Sequence, residues 1–360
     1  MAAFRKQGLV VTIVKTALVA GGMGVCGRAI VEQLSQRLDW KVYALSRRTP
    51  EFSTKAHFIS VNLEDAIDCK AKIGGLRDVT HVFYAANQTL QNMTDQVQVN
   101  LRMLTNCLDA MEVAAPDLVH INVMHGMKAY GSMLGPFKTP ALETDPRIMS
   151  PMFYYDQEDL IRTRQVGKRW SWSTLRPGSI AGVGSGSGAN LIAILGVYGS
   201  LCKALNLPFW YPGTQAGFTA LRQLSDADLL ARQSLFVATT PGGENQVFNV
   251  NNGGYYRWEH IWPKLARFFD LEPAGPLLIR LKEFMVDKGS VWDRVVREHQ
   301  LQQTPYEQVV KWNYSDMFHN GWDSIGDTNK LRKLGFNEVI DDHQCLLNLL
   351  ERMRSSRVIP

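Results

Sequence analysis

Lys15-Thr16-Ala17-Leu18-Val19-Ala20-Gly21-Gly22-Met23-Gly24-Val25-Cys26-Gly27 is the stretch on which the fold turns. A short apolar run ending in glycine has the look of a strand buried on both faces of a parallel sheet. Glycines follow at 21, 24 and 27, and Arg28-Ala29-Ile30-Val31-Glu32-Gln33-Leu34 then spaces its apolar residues as a helix does. Strand, glycine turn and helix in this order make a cradle for a dinucleotide's pyrophosphate. Gly21 would permit the tight turn, Gly24 a close backbone approach to the phosphates, and Gly27 close packing of helix on strand. The helix N-terminus would add free N–H groups and partial positive charge. Turn glycines without a ligand could spell the same triplet, so the evidence is its place between a first strand and a second.

Working outward, Trp40–Leu45, His57–Val61, Val79–Tyr84 and Leu118–Val123 read as further strands, with helices over Ala66–Leu76 and about Val97–Ala114. Trp172–Arg176 and Gln246–Val250 read as a sixth and a seventh strand. Alternation of this kind predicts an α/β fold, a doubly wound parallel sheet of Rossmann type with a smaller, mostly helical C-terminal substrate lobe. We place the dinucleotide-binding domain at 1–180, completed by the strand near 245–251, and the substrate lobe at 181–360. No Gly/Ser/Pro linker parts them, so one body with a cleft is expected.

The second strand ends Ser46-Arg47-Arg48, where an NAD site usually places an acidic residue for the ribose hydroxyls. Two guanidiniums there suit a 2′-phosphate, so NADPH is the expected cofactor; solvated surface arginines are the rival reading. By position, Asn62-Leu63 would border the adenine and Ala85-Ala86 would lie under the nicotinamide half.

The chemical end is less direct. Phe153-Tyr154-Tyr155-Asp156-Gln157-Glu158-Asp159 has a tyrosine pair where a short-chain reductase keeps its catalytic tyrosine, but the lysine four residues on is missing. Lys128 follows the fifth strand, on the edge that faces the cofactor crevice. Reduction of an enone puts negative charge on oxygen, which a phenol beside a cation could stabilise. A surface lysine and two packing tyrosines would fit the same letters.

Composition narrows the classes. The chain has 360 residues, a net charge of +5 spread without basic runs, and five scattered cysteines. Nucleic-acid binding is not expected, and reduced thiols in a cytoplasmic protein are. The apolar run Gly8–Val14 is broken by Lys15 and leads into the glycine loop, so it reads as no leader. The apolar stretch 190–207 reads as a buried helix and not a membrane span. Eight histidines find no partners at ligand spacing, so no metal site is expected. Asp226 reads as a helix cap, and Gly184–Gly188 as a loop at the cleft.

The glycine loop, Val42–Arg48, Asp78–Tyr84, Gly126-Met127-Lys128-Ala129-Tyr130, Phe153–Asp159, Trp172–Pro177, Ser225–Leu229, Phe248–Gly253 and Arg357-Val358-Ile359-Pro360 together resemble the progesterone 5β-reductase/iridoid synthase-like (PRISE) family of extended short-chain dehydrogenases. The resemblance runs from about Lys15 to Pro360, and its Phe-Tyr-Tyr-x-x-Glu-Asp run is very specific. It implies NADPH-dependent reduction of the C=C bond of α,β-unsaturated ketones or aldehydes. By it the second tyrosine, Tyr155, is catalytic and Lys128 is its partner. Met23, Gly24, Val25, Arg47, Arg48, Asn62, Leu63, Ala86, Met124, Tyr155, Ala181 and Asn190 take cofactor contacts. Departures at Met23, Asn62, Ala86 and Asn87 imply a pocket unlike that of the steroid-reducing plant members. The expected partner is a small apolar enone or enal, with a homodimer allowed. The rival readings are a carbonyl reductase or alcohol dehydrogenase, a sugar-nucleotide epimerase, and a non-catalytic NADPH sensor.

Overall fold

The strand that opens the chain, β1 (Lys15–Ala20), is buried at every residue after its first. That is why it carries no polar alternation: helices cover both of its faces. In the computed structural model, which describes residues 14–50, 52–184 and 190–360, it lies inside a seven-stranded sheet. Most of the apolar run 8–14, and residues 185–189 of the expected cleft loop, lie outside the described residues.

The strands follow as β2 (Trp40–Leu45), β3 (His57–Ile59), β4 (His81–Tyr84), β5 (His120–Met124), β6 (Ser171–Pro177), β7 (Ser179–Ala181), β8 (Phe209–Tyr211), β9 (Leu224–Asp226), β10 (Gln246–Val250) and β11 (Pro273–Pro276). The main sheet has the order β10-β6-β5-β4-β1-β2-β3, with every pair parallel. Ala17 sits between Val42 and His81 in register. The order reverses at β1, and the crevice beyond the carboxyl ends of β1 and β4 is where such sheets hold ligands. β4 begins two residues later than the sequence suggests, because the Thr80 hydroxyl accepts the Thr16 N–H at 2.9 Å.

Helices α1 (Val25–Ser35), α2 (Ala66–Ile73), α3 (Met93–Ala114) and α4 (Phe153–Gln165) punctuate the first six strands. α2 stops short of Leu76 at the C-cap Gly74, and α3 starts early because Asn92 caps it through the Thr94 and Asp95 N–H groups. The second half adds α5 (Leu191–Ala204), α6 (Gln215–Thr219), α7 (Ala227–Thr239), α8 (Trp258–Phe268), α9 (Leu281–Phe284), α10 (Gly289–Glu298), α11 (Tyr306–Val309), α12 (Asn329–Lys333) and α13 (Asp342–Ser355).

One apolar layer joins the sheet to α2 and α3, and another joins it to α1 and α7. The helix α7 therefore returns from the C-terminal half to cover the sheet, started by the Asp226 cap on the Leu229 N–H. The apolar stretch after position 190 is α5, buried in the largest core with β8, α8, α10 and α13. Phe209 stacks on Trp262 with ring centres 4.3 Å apart, and the Trp262 indole donates to the Phe209 carbonyl at 2.7 Å. No described helix is long and apolar enough to cross a membrane.

Candidate active site

A cleft of about 800 Å³ opens over the carboxyl ends of β1, β2, β4 and β5 and reaches the C-terminal lobe. Its floor is the glycine loop. Gly21 has φ of +83°, and a Cβ there would stand 2.9 Å from the Ala85 backbone. A Cβ on Gly27 would stand 2.1 Å from the Gly21 carbonyl oxygen, so Gly27 serves helix packing and does not line the cleft. The helix α1 starts with Gly24 as N-cap and no side chain on its first N–H groups. That cradle, which side chains would fill, fits a pyrophosphate.

Met23, Gly24, Val25, Arg47, Arg48, Asn62, Leu63, Ala86 and Met124 all line the cleft. Arg48 reaches back from the end of β2 to donate to the Met23 carbonyl at 3.0 Å, tying the arginine pair to the glycine loop. Asn62 is fixed by turn bonds: its N–H donates to Asp68 at 2.7 Å and its side-chain oxygen accepts from the Glu64 N–H. Two residues expected at the cofactor stand away from the cleft lining. Ala181 is fully buried in the large C-terminal core, and Asn190 caps α5 through the Ala193 N–H while its amide donates to the Gly184 carbonyl. Neither is among the cleft-lining residues.

The two tyrosines are placed differently. Tyr154 lines the cleft and Tyr155 does not. Tyr155 turns its hydroxyl inward, donating to the Ala129 carbonyl and accepting from the Ile148 N–H at 3.0 Å, with the Arg147 guanidinium 4.9 Å over its ring. Successive helical residues point about 100° apart, so only one of the pair can face the crevice.

Tyr154 stacks on His125, ring centres 4.7 Å apart, and meets Phe153 edge-on at 4.5 Å. Its hydroxyl lies 3.4 Å from where a Cβ on Gly126 would stand, so the glycine makes room for it. Burial holds the phenol well above its ordinary pKa. His125 is held neutral by burial, its pKa pushed down to about 3. Neither ring nitrogen makes a hydrogen bond of normal geometry, although the Gln157 amide is near enough to favour the protonated form.

Lys128 stands on the 3-10 turn Met127–Tyr130 that follows β5, half-buried in the same cleft. Desolvation lowers its pKa, and among the described residues no side chain or carbonyl pairs with its ammonium group. The position four residues after Tyr154 is Glu158, buried in an ion pair with Arg176 at 3.0 Å. Asp159 faces outward and pairs with Arg147 at 2.7 Å. A tyrosine and an unpaired cation thus share the crevice with the nucleotide cradle, an arrangement suited to receiving negative charge on a substrate oxygen.

The far wall comes from segments that carry no motif: Arg222, Lys311, Tyr314, Met317, Asn320 and Ser324. No motif or spacing marks them. Trp322 braces this wall to the opposite one, its indole donating to the Ser132 carbonyl at 3.1 Å. His120 is a satisfied core histidine between the hydroxyls of Ser171 and Ser173, each at 2.8 Å. No cluster that could hold a metal exists among the described residues.

Residues 57–360 match the model of the PRISE-like Rossmann-fold domain family. The (S)-8-oxocitronellyl enol synthase of Antirrhinum majus is 33% identical over 98% of this chain and 95% of its own length. The 3-oxo-Delta(4,5)-steroid 5-beta-reductase of Arabidopsis thaliana is 31% identical over 96% and 93%. Among solved structures, the UDP-glucose 4-epimerase of Thermotoga maritima with UDP-glucose superposes with a TM-score of 0.68 at 17% identity, covering 95% of this chain and 99% of that one. That likeness is one of fold.

Proposed function

We propose, because this chain belongs to the PRISE-like Rossmann-fold domain family, that it is an oxidoreductase that reduces the C=C bond of α,β-unsaturated ketones or aldehydes with NADPH. The observation that carries the reading is the meeting of Tyr154, Lys128 and the glycine loop with Arg47 and Arg48 in one cleft. The reduced nicotinamide, when bound, supplies a hydride for the substrate's β-carbon. Tyr154 donates a hydrogen bond to the carbonyl oxygen, where the enolate charge collects. A phenol with a raised pKa keeps its proton and so acts as a donor rather than a base. The Lys128 ammonium faces the same space and stabilises the negative charge while orienting the cofactor's ribose. Arg47 and Arg48 take the 2′-phosphate that distinguishes NADPH from NADH. Residues 1–180 with β10 form the cofactor half, and the later segments close over the substrate.

The test is NADPH oxidation with simple cyclic enones, with the product identified by mass spectrometry. A saturated ketone is expected, with NADPH strongly preferred over NADH. Tyr154→Phe should lower kcat/KM by about 100-fold or more. An allylic alcohol as product would move the chemistry to the C=O bond and overturn the reading. Full activity in Tyr154→Phe would remove the phenol from it.

A further inference from the structure

Arg222 is an anomaly in a well-packed protein. It is 3% exposed and lines the lobe side of the cleft. No described carboxylate pairs with it, its Nε–H is buried without an acceptor, and its one hydrogen bond runs from a terminal nitrogen to the Asn320 carbonyl. A buried, unpaired guanidinium is expensive unless a counter-charge arrives. The nearest acid in sequence pairing, Asp323, is engaged by the Leu221 N–H at 2.7 Å and forms no ion pair with Arg222. Among the described residues that line the cleft, Glu64 at the nucleotide end is the only acidic one, against Arg47, Arg48, Lys128, Arg222 and Lys311. The backbone that carries Arg222 is rigid: its N–H and carbonyl each bond Tyr256 at 2.9 Å. Tyr154, Tyr314 and Arg222 line the same cleft, so this guanidinium shares the space of the proposed hydrogen-bond donor.

We infer that Arg222 is the anchor of an anion subsite, and that the substrate is an enone or enal carrying a carboxylate. This rests on the enone-reductase reading and sharpens it, replacing an apolar substrate by an amphiphilic one. A monoanion matches the single charge, and the planar guanidinium matches the planar carboxylate. Ser324 and Asn320 add polar edges to the same wall, and Lys311 at the exposed rim favours entry of an anion.

The test measures kcat and KM with NADPH for cyclic enones that bear a carboxylate on a side arm of increasing length, each beside its methyl ester. At one arm length or more, the acid should exceed its ester about tenfold or better in kcat/KM. Arg222→Met should raise KM for the acid far more than for the ester, and Arg222→Lys should recover part of the difference. Equal handling of acid and ester by the wild type at every length, or equal losses on both in Arg222→Met, overturns the inference and leaves enone reduction standing. If no enone turns over, enone reduction falls. Calorimetry of saturated keto acids on the NADP⁺-loaded protein then decides: binding of acid over ester that depends on Arg222 supports the subsite, and its absence overturns it. Should Arg222→Met fail to fold, the acid-to-ester ratio in wild type and Arg222→Lys carries the comparison.

Discussion

Tyr154 and Tyr155 are chemically identical neighbours with opposite fates, and rotation about the helix axis separates them. Tyr155 is a structural bolt: its hydroxyl ties α4 to Ala129 and Ile148. Tyr155→Phe should therefore cost about 1 kcal/mol, seen as a Tm lower by roughly 2–4 °C, while turnover survives. A loss of turnover as deep as that of Tyr154→Phe would return the chemistry to Tyr155. The sequence could name the pair and the missing lysine, but not which ring faces the crevice. That azimuth is set by distant contacts, by His125 stacked on Tyr154 and by Gly126 leaving space for its hydroxyl. A small signal was present in Gly126 itself, since a glycine just past a strand end is what a close approach permits. The places of Gly21, Gly27, Arg47 and Arg48 around the glycine loop were readable because they depend on neighbours a few residues away. Arg222 was not, since its meaning lies in what fails to surround it.

At the scale of the element, the start of α13 stores an unusual acid. Asp341 caps the helix on the Gln344 N–H, and Asp342 beside it is 4% exposed. Asp342 accepts from the Asn252 amide at 2.9 Å and leaves its other oxygen without a partner. Burial pushes its pKa up to about 7, with Asp341 adding to the rise and Asn252 opposing it. The folded protein thus keeps a proton that the unfolded chain, with an ordinary value of 3.8, releases. Its stabilising contribution is complete below that ordinary value and is lost as pH climbs through about 7. The buried, neutral His81, His120 and His125 gain stability as pH rises through the ordinary histidine range, so the Asp342 loss is read as the difference between two proteins. The Tm of wild type relative to Asp342→Asn should fall from mildly acidic to mildly alkaline buffer, and Asp342→Asn should be more stable on the alkaline side by about 2–4 kcal/mol at most. Equal slopes in the two proteins would show that Asp342 ionises normally. Element identity was readable throughout the first half because apolar periodicity is local. The ends drifted where a cap such as Asn92, or a side-chain bond such as Thr80 to Thr16, replaced the regular pattern.

For the whole molecule, the decisive fact is that one cleft draws on both halves of the chain. Ligand binding should therefore stabilise sheet and lobe together. A cofactor that binds only the folded state at a hundredfold excess over Kd adds about 2.7 kcal/mol. NADPH should raise Tm by several degrees in a single transition, and NADH at the same concentration by much less. Matching shifts for both would take the 2′-phosphate role away from Arg47 and Arg48. The parallel sheet could be foreseen because each of its strands announces itself in six or so letters. The lobe was foreseen as mostly helical, but not its packing: its core joins β8, α5, α8, α10 and α13 across about half the chain, and aromatic packing of that kind leaves no periodic trace.

The brace between Trp322 and Ser132 has an optical consequence. Most of the nine tryptophans are sealed in cores that no small molecule reaches. Trp322 is half-exposed, and its indole N–H is held by a residue of the cleft wall. Whatever displaces that wall changes the polarity around one fluorophore while the buried majority stays constant. The protein therefore carries its own emission probe for occupancy, readable without a label or a chromogenic substrate.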